Sequence, residues 1–461
     1  MLSRHTHWTA MLLALMSALL VTGCQPRGCH LGQDKGVQRI VLISIDTLRA
    51  DHLGTYGHER NTSPNLDALA SNGTVFEDVS TTAPWTLPAH ASMFTGLYPN
   101  QARVRTKRRM LPENIPTLAG TLRAAGYRTT GFGNVSWLAP NYGLNRGFET
   151  WEFLAADESP KGAAEHITDF GIDFLTQSAG ERSFLFLHYF DVHSPYLSQP
   201  VFEQAFLPPD FRETSRVTGA TIELGLAAAK HGFVVFSEQE REQLKKLYDA
   251  GILQLDSSLA RLFRFIDERF GFDDTLVIVT SDHGDAFFEH QLFSHGQNQY
   301  QEVLRVPLIL RGGPVPPGVR IHAPASIVDV AATILAAAGV APKEPVSGVD
   351  LSGYWKAVTL ARDERVLYSQ SAPGPEKDVI RMARRGRFKL ITDRESGERE
   401  LFDLATDPTE RQDLSEARPE LADELSALMD QFFGPEVEDP LEALELDPKT
   451  VERLRSLGYL E

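Results

Sequence analysis

The run Arg39-Ile-Val-Leu-Ile-Ser-Ile45 is continuously apolar and β-branched, the pattern of a strand covered on both faces in a parallel sheet. Parallel strands need long crossover connections, so this run asks for helices on both sides of the sheet. Asp46 comes directly after it. A carboxylate at the carboxyl end of a central strand stands where open α/β sheets take their ligands, although a helix N-cap would use the same residue. Further strands are predicted at 128–133, 183–189, 275–280 and 307–310, with helices over 116–125, 163–176, 238–270 and 329–339. Leu247, Leu255, Leu259, Leu262 and Ile266 keep helical spacing and read as core. The alternation predicts a large doubly wound mixed α/β sheet flanked by helices. With 461 residues and 42% apolar content, the chain can bury such a core.

Beyond residue 355 the pattern changes. Segments 365–369, 379–384, 388–392 and 400–403 have hairpin spacing and precede a helix over 418–432, which predicts a small antiparallel α+β subdomain. A short amphipathic helix ends the chain. The polar stretch 198–237 reads as an insertion near the strand ends, placed to act as a substrate lid.

At the other end, Arg4, the apolar stretch Thr9 to Val21 and Val21-Thr-Gly-Cys24 resemble a bacterial lipoprotein signal. Cleavage before Cys24 would leave a lipid-carrying cysteine and a membrane anchor, with a plain cleaved signal peptide as the alternative. Gln25 points to the outer membrane, hence a lipid-anchored protein of the bacterial cell envelope on the periplasmic side. The expected organisation is a signal peptide (1–23), a tether (24–36), a catalytic domain (37–355), the α+β subdomain (356–435) and the tail (436–461). Cys29 is the only other cysteine, so neither a disulfide framework nor a thiolate metal site is expected. A net charge of −17 argues against a nucleic-acid partner. The local Arg105-Thr-Lys-Arg-Arg109 cluster suits the rim of an anionic substrate's entry.

In Ala83-Pro-Trp-Thr-Leu-Pro-Ala-His90 the two prolines are breakers, and a helix is predicted to begin near Thr86 and to stop before Gly96. That sets a hydroxyl among unpaired N–H groups at the positive end of a helix, with His90 on the same face. Taken alone, Thr86 is better explained as an N-cap. Asp282 and His283 come after the apolar strand 275–280 and, with Asp46 and the Thr86 oxygen, make a donor set suited to Mn²⁺, Zn²⁺ or Mg²⁺. Coordination by a cation is the clearest way to make a threonine hydroxyl nucleophilic near neutral pH. Two further clusters, His188-Tyr-Phe-Asp-Val-His-Ser-Pro-Tyr196 and Glu289-His-Gln-Leu-Phe-Ser-His-Gly296, add Asp191, His193 and His295.

From about Gln38 to Leu460 the chain resembles the sulfatase-like branch of the alkaline phosphatase superfamily. The resemblance rests on Leu42-Ile-Ser-Ile-Asp-Thr-Leu-Arg-Ala-Asp-His-Leu-Gly54, Thr62-Ser-Pro-Asn-Leu-Asp67, the Thr86 segment ending at Thr95-Gly96, Ser281-Asp-His-Gly284 and Leu304-Arg-Val-Pro307, in family order. It implies the family fold, a metal on Asp46, Asp282 and His283, and a nucleophile at Thr86. His193 and His295 match histidines that contact the substrate or leaving group, or with Asp191 hold a second metal. Sulfatases of this type carry Cys or Ser in C/S-x-P-x-R, oxidised to formylglycine. Thr86 cannot give that aldehyde, and His90 replaces the motif's Arg. Asn134 and Ser136 stand where sulfate-gripping Lys and His are usual, and Thr47 where many relatives have a second metal-binding Asp. His283 in place of Asn shifts the expected metal from Ca²⁺ toward a transition metal.

The expected function is a metal-dependent hydrolase of phosphoric or sulfuric esters, phosphoester before sulfate. Thr86 would attack and His193 or His295 would protonate the leaving alcohol. Alternatives are a transferase passing a phosphoethanolamine- or phosphoglycerol-type group to an envelope glycan or lipid, a sulfatase without formylglycine, and a non-catalytic metal- or anion-binding surface protein.

Overall fold

The computed structural model describes residues 36–106, 109–154, 163–215, 217, 236–356, 365–371 and 380–434. The signal peptide, Cys24, Cys29 and the tail helix lie outside these residues, as do Lys107, Arg108 and most of the polar insertion after Val217.

Eight strands form one sheet: β1 (Arg39–Ile45), β2 (Thr74–Phe76), β3 (Arg128–Gly133), β4 (Thr150–Phe153), β5 (Ser183–Tyr189), β6 (Thr275–Thr280), β7 (Leu308–Arg311) and β8 (Val319–Ile321). Their spatial order is β8-β2-β7-β6-β1-β5-β3-β4. Every pairing is parallel except the two made by β7, so the sheet is mixed, as expected. The expected strand 307–310 is displaced by one residue because Pro307 has no N–H to give the ladder. The short strands β2, β4 and β8 have no counterpart in the sequence reading. Three or four residues are too few to establish a period.

β1 is buried along Ile40 to Ile45, and its side chains alternate between two cores. Ile40 and Leu42 join a cluster with α2 (Thr86–Thr95), α3 (Leu118–Ala124) and α6 (Asp329–Ala338). Val41, Ile43 and Ile45 join another with α1 (Pro64–Ser71), α4 (Ala164–Gln177) and α5 (Glu238–Arg269). Helices thus cover both faces.

In register, Ile45 lies opposite Tyr189 of β5, and Ser44 lies opposite Thr280 of β6. Three parallel neighbours therefore end together, and Asp46, Phe190 and Ser281 leave the sheet at one edge.

The C-terminal part is an antiparallel sheet of β9 (Val366–Ser371), β10 (Ile380–Arg385), β11 (Phe388–Asp393) and β12 (Arg399–Asp403), backed by α7 (Pro419–Phe433). Met382, Ile391 and Phe402 pack on Ala286, Val303 and Leu304, behind the loop after β6. The Lys389 ammonium and Glu410 carboxylate, 2.5 Å apart and both buried, reinforce this subdomain.

Ile43, fully buried in the central strand, tests how much the site depends on this layer. Ile43→Ala is expected to cost about 2–5 kcal/mol, read as a lower urea midpoint at unchanged m-value.

Candidate active site

Asp46 is fully buried, and neither carboxylate oxygen receives a hydrogen bond of acceptable geometry. Burial pushes its pKa up to about 7, against the opposing pull of His283 and the nearby Thr86 hydroxyl. It does not cap a helix: the 3-10 turn nearest in sequence, Ala50–His52, has Arg49 at its N-cap. Between them Thr47 has φ 59°, unusual for a β-branched residue. The turn is held by Tyr248, whose hydroxyl donates to the Thr47 carbonyl at 2.7 Å, and by the Leu48 N–H donating to Ser281 Oγ at 3.0 Å.

Asp282 and His283 come from the end of β6 and are fully buried. Asp282 Oδ1 accepts the N–H groups of His283 (2.9 Å) and Thr47 (3.3 Å), while Oδ2 accepts none. His283 Nδ1 lies 2.9 Å from the Gly284 carbonyl, which can only accept, so Nδ1 carries hydrogen and Nε2 turns inward. Nε2 lies 3.4 Å from Asp282 Oδ2, 3.8 Å from Asp46 Oδ1 and 3.4 Å from Thr86 Oγ1. Burial works to lower the His283 pKa, but Asp282 and Asp46 overcome it and raise the value.

Thr86 opens α2 as its first helical residue. Trp85 occupies the N-cap and makes no side-chain cap bond, so the Thr86 hydroxyl is not the capping group. Pro88 falls in the first turn, where its missing N–H costs nothing, and Gly96 ends the helix at φ 69°. One turn on, His90 Nδ1 donates to the Thr86 carbonyl at 2.9 Å, and Nε2 faces Ser44 Oγ at 3.0 Å. Burial pushes the His90 pKa down to about 4, so the ring is neutral. His90 thus braces the backbone of Thr86 and makes no contact with its hydroxyl.

His295 Nδ1 lies 3.1 Å from Asp285 Oδ1, and the other oxygen of that carboxylate accepts the Tyr196 hydroxyl at 2.6 Å. The His295 ring lies 4.4 Å from that of His283 and 5.1 Å from that of His193, which stacks on Phe190. The structure therefore brings Asp46, Thr86, Asp282, His283, His193 and His295 to one end of the sheet. Asp191 Oδ1 instead accepts the Ala164 N–H at 3.3 Å, at the start of α4. Among the described residues the sets of three metal-capable ligand atoms within 4.8 Å are Asp46–Asp282–His283, His90–His188–Asp282 and His52–His58–Asp249. Asp191, His193 and His295 do not form such a set. In the third set Arg60 also pairs with Asp249, so a cation is already present there.

His188 was missed. It heads the His188–Tyr196 cluster at the end of the strand Ser183-Phe-Leu-Phe-Leu-His-Tyr189, where only Asp191 and His193 carry expected roles. The available signal was its place one residue before the strand's end, beside the strand that delivers Asp46.

A family model described as Sulfatase matches residues 38–340. The chain belongs to the sulfatase family. It is 23% identical over 462 residues to arylsulfatase K of Mus musculus, covering 89% of this chain and 82% of that protein. To choline-sulfatase of Rhizobium meliloti it is 26% identical over 433 residues, covering 83% of each. Its fold superposes with a TM-score of 0.73 on a protein solved with its substrate D-glucosamine-2-N,6-O-disulfate, at 19% identity over 88% of this chain and 100% of that one. For the phosphonate monoester hydrolase of Agrobacterium radiobacter the TM-score is 0.71, at 21% identity over 86% and 96%. The enzyme class read from the sequence, a sulfatase-like hydrolase of ester bonds, agrees with these relatives.

In metal-stripped protein, a carboxyl raised to about 7 contributes stability below its unfolded pKa and loses it as pH rises through 7. Asp46→Asn removes that loss. Its stability relative to the unsubstituted protein, measured by urea melts in chelator, is expected to rise steadily between about pH 4 and pH 8.

Proposed function

We propose that this sulfatase-family chain hydrolyses phosphoric or sulfuric esters, phosphoesters in preference, with Thr86 Oγ1 as the nucleophile. The observation that carries the reading is the uncapped Thr86 hydroxyl at a helix N-terminus, 3.4 Å from His283 Nε2 and beside Asp46. Two buried carboxylates with three unpartnered oxygens, facing an inward imidazole nitrogen, are a donor set that a divalent cation fits. Asp46, Asp282 and His283, with the Thr86 oxygen, would hold it. When bound, such an ion lowers the cost of ionising the hydroxyl and offsets charge on the ester.

The chain's own residues account for the remaining steps. Thr86 Oγ1 gives up its proton to solvent and forms a bond to phosphorus, the bond to the leaving oxygen breaks, and His295 or His193 supplies the proton that oxygen takes up. Asp285 orients His295 for this role. Water, deprotonated by the same histidine, then cleaves the phosphothreonine. The positive end of the α2 dipole favours the developing anion. The preference for phosphorus comes from the side chain itself. A secondary alcohol cannot become the aldehyde used by Cys- or Ser-type sulfatases, whereas a simple alkoxide suffices for a phosphodiester. Lipid anchoring through Cys24 on the periplasmic side of the outer membrane completes the proposal, supported by the Val21-Thr-Gly-Cys24 sequence.

Thr86→Ala is expected to cut phosphodiester turnover by at least about 10³-fold at unchanged metal content; equal turnover would sink the assignment. His295→Ala should slow an alkyl ester far more than the matching p-nitrophenyl ester, whose leaving group needs no proton. An equal loss on both would remove His295 from the acid role.

A further inference from the structure

His188 has no part in the mechanism above, yet it occupies the centre of the site. It lies opposite Ser44 in the β1–β5 register, is fully buried, and neither ring nitrogen has a hydrogen-bond partner. Its Nε2 is 3.3 Å from Asp46 Oδ2, which is equally unpartnered. An imidazole buried without a partner is costly, and so is a carboxylate. A cation between them would relieve both.

His90 and His188 share a set with Asp282, and Asp282 is also common to the set with Asp46 and His283. The two histidines differ in what is left of their nitrogens. His90 gives Nδ1–H to the Thr86 carbonyl and turns Nε2 to the Ser44 hydroxyl, so its one lone pair, on Nε2, is engaged. His188 keeps its lone pair.

We propose that His188 is a direct ligand of the same divalent cation, completing a donor set of Asp46, Asp282, His283, His188 and the Thr86 hydroxyl. This rests on the metal reading made under the proposed function. Two donors bound to one ion at roughly 2.0–2.2 Å lie roughly 3–3.5 Å apart. The 3.3 Å between His188 and Asp46, and the 3.4 Å from His283 to Asp282 and to Thr86, meet that spacing. The 3.8 Å from His283 to Asp46 has to close, and His188, which among the described residues shares a three-donor set within 4.8 Å with Asp282 but not with Asp46 or His283, has to draw in toward them on binding. Two imidazoles beside two carboxylates favour zinc or manganese over calcium and magnesium.

The test loads the full chain with zinc alone, measures its dissociation constant by competition with a chromogenic chelator, and counts imidazoles by X-ray absorption at the zinc edge. Two imidazoles are expected in the unsubstituted protein and in His90→Gln, and one in His188→Ala and His188→Gln. Zinc binding in both His188 variants should be at least about tenfold weaker. Melting of the stripped variants near that of the stripped parent separates ligand loss from misfolding, and the count in the unsubstituted protein needs no variant. One imidazole in that protein, or affinity within twofold in both His188 variants, overturns the assignment while leaving the metal reading intact. Failure of the unsubstituted protein to bind zinc stoichiometrically overturns both.

Discussion

Two aspartates, Asp46 and Asp282, meet in a part of the molecule closed to water, and three of their four oxygens have no hydrogen bond. Such carboxylates go unsolvated, and burial pushes the Asp46 pKa up to about 7. The rest of the site is arranged around that tension. His283 turns Nε2 toward both carboxylates, the Thr47 N–H takes part of the Asp282 charge, and the Thr86 hydroxyl stands alongside.

The scaffold can hold this arrangement because little of it rests on free loops. Asp46 and Asp282 lie just past the ends of adjacent parallel strands in register, and His188 lies within a third. Thr86 begins a helix whose apolar side chains join the core under the sheet. The turn after β1, with Thr47 at positive φ, is tied to α5 through Tyr248. Arg49 bridges Asp51 and Glu289, joining that turn to the loop after β6. Strain at Thr47, of order 1–3 kcal/mol, is therefore borne by these ties.

The departures from the usual sulfatase pattern form a consistent set. Threonine replaces the residue that would be oxidised, and a neutral His90 replaces the arginine and holds the threonine backbone. Asn134 and Ser136, at positions where the resemblance implies Lys and His in sulfatases, are both buried. In the proposed donor set, His283 where the resemblance implies asparagine supplies one imidazole, and His188 is proposed to supply another.

The sequence by itself determined the sheet's central strands and the residues at their ends. An unbroken β-branched run can only be covered on both faces, and the residue after it must leave at the ligand-binding edge. The limits of β1, β3, β5 and β6 and the start of α2 at Thr86 were legible for that reason, as were Asp46, Asp282 and His283. Three-residue strands carry no period and were not legible. Only the tertiary structure decided which polar groups share a space. Asp191 and His193 are near neighbours in sequence, but Asp191 turns to the start of α4. His188 heads one of the clusters read from the sequence but carries no role there; the β1–β5 register sets it opposite Ser44, 3.3 Å from Asp46. Proximity across parallel strands depends on register, and register is fixed by how the whole sheet packs.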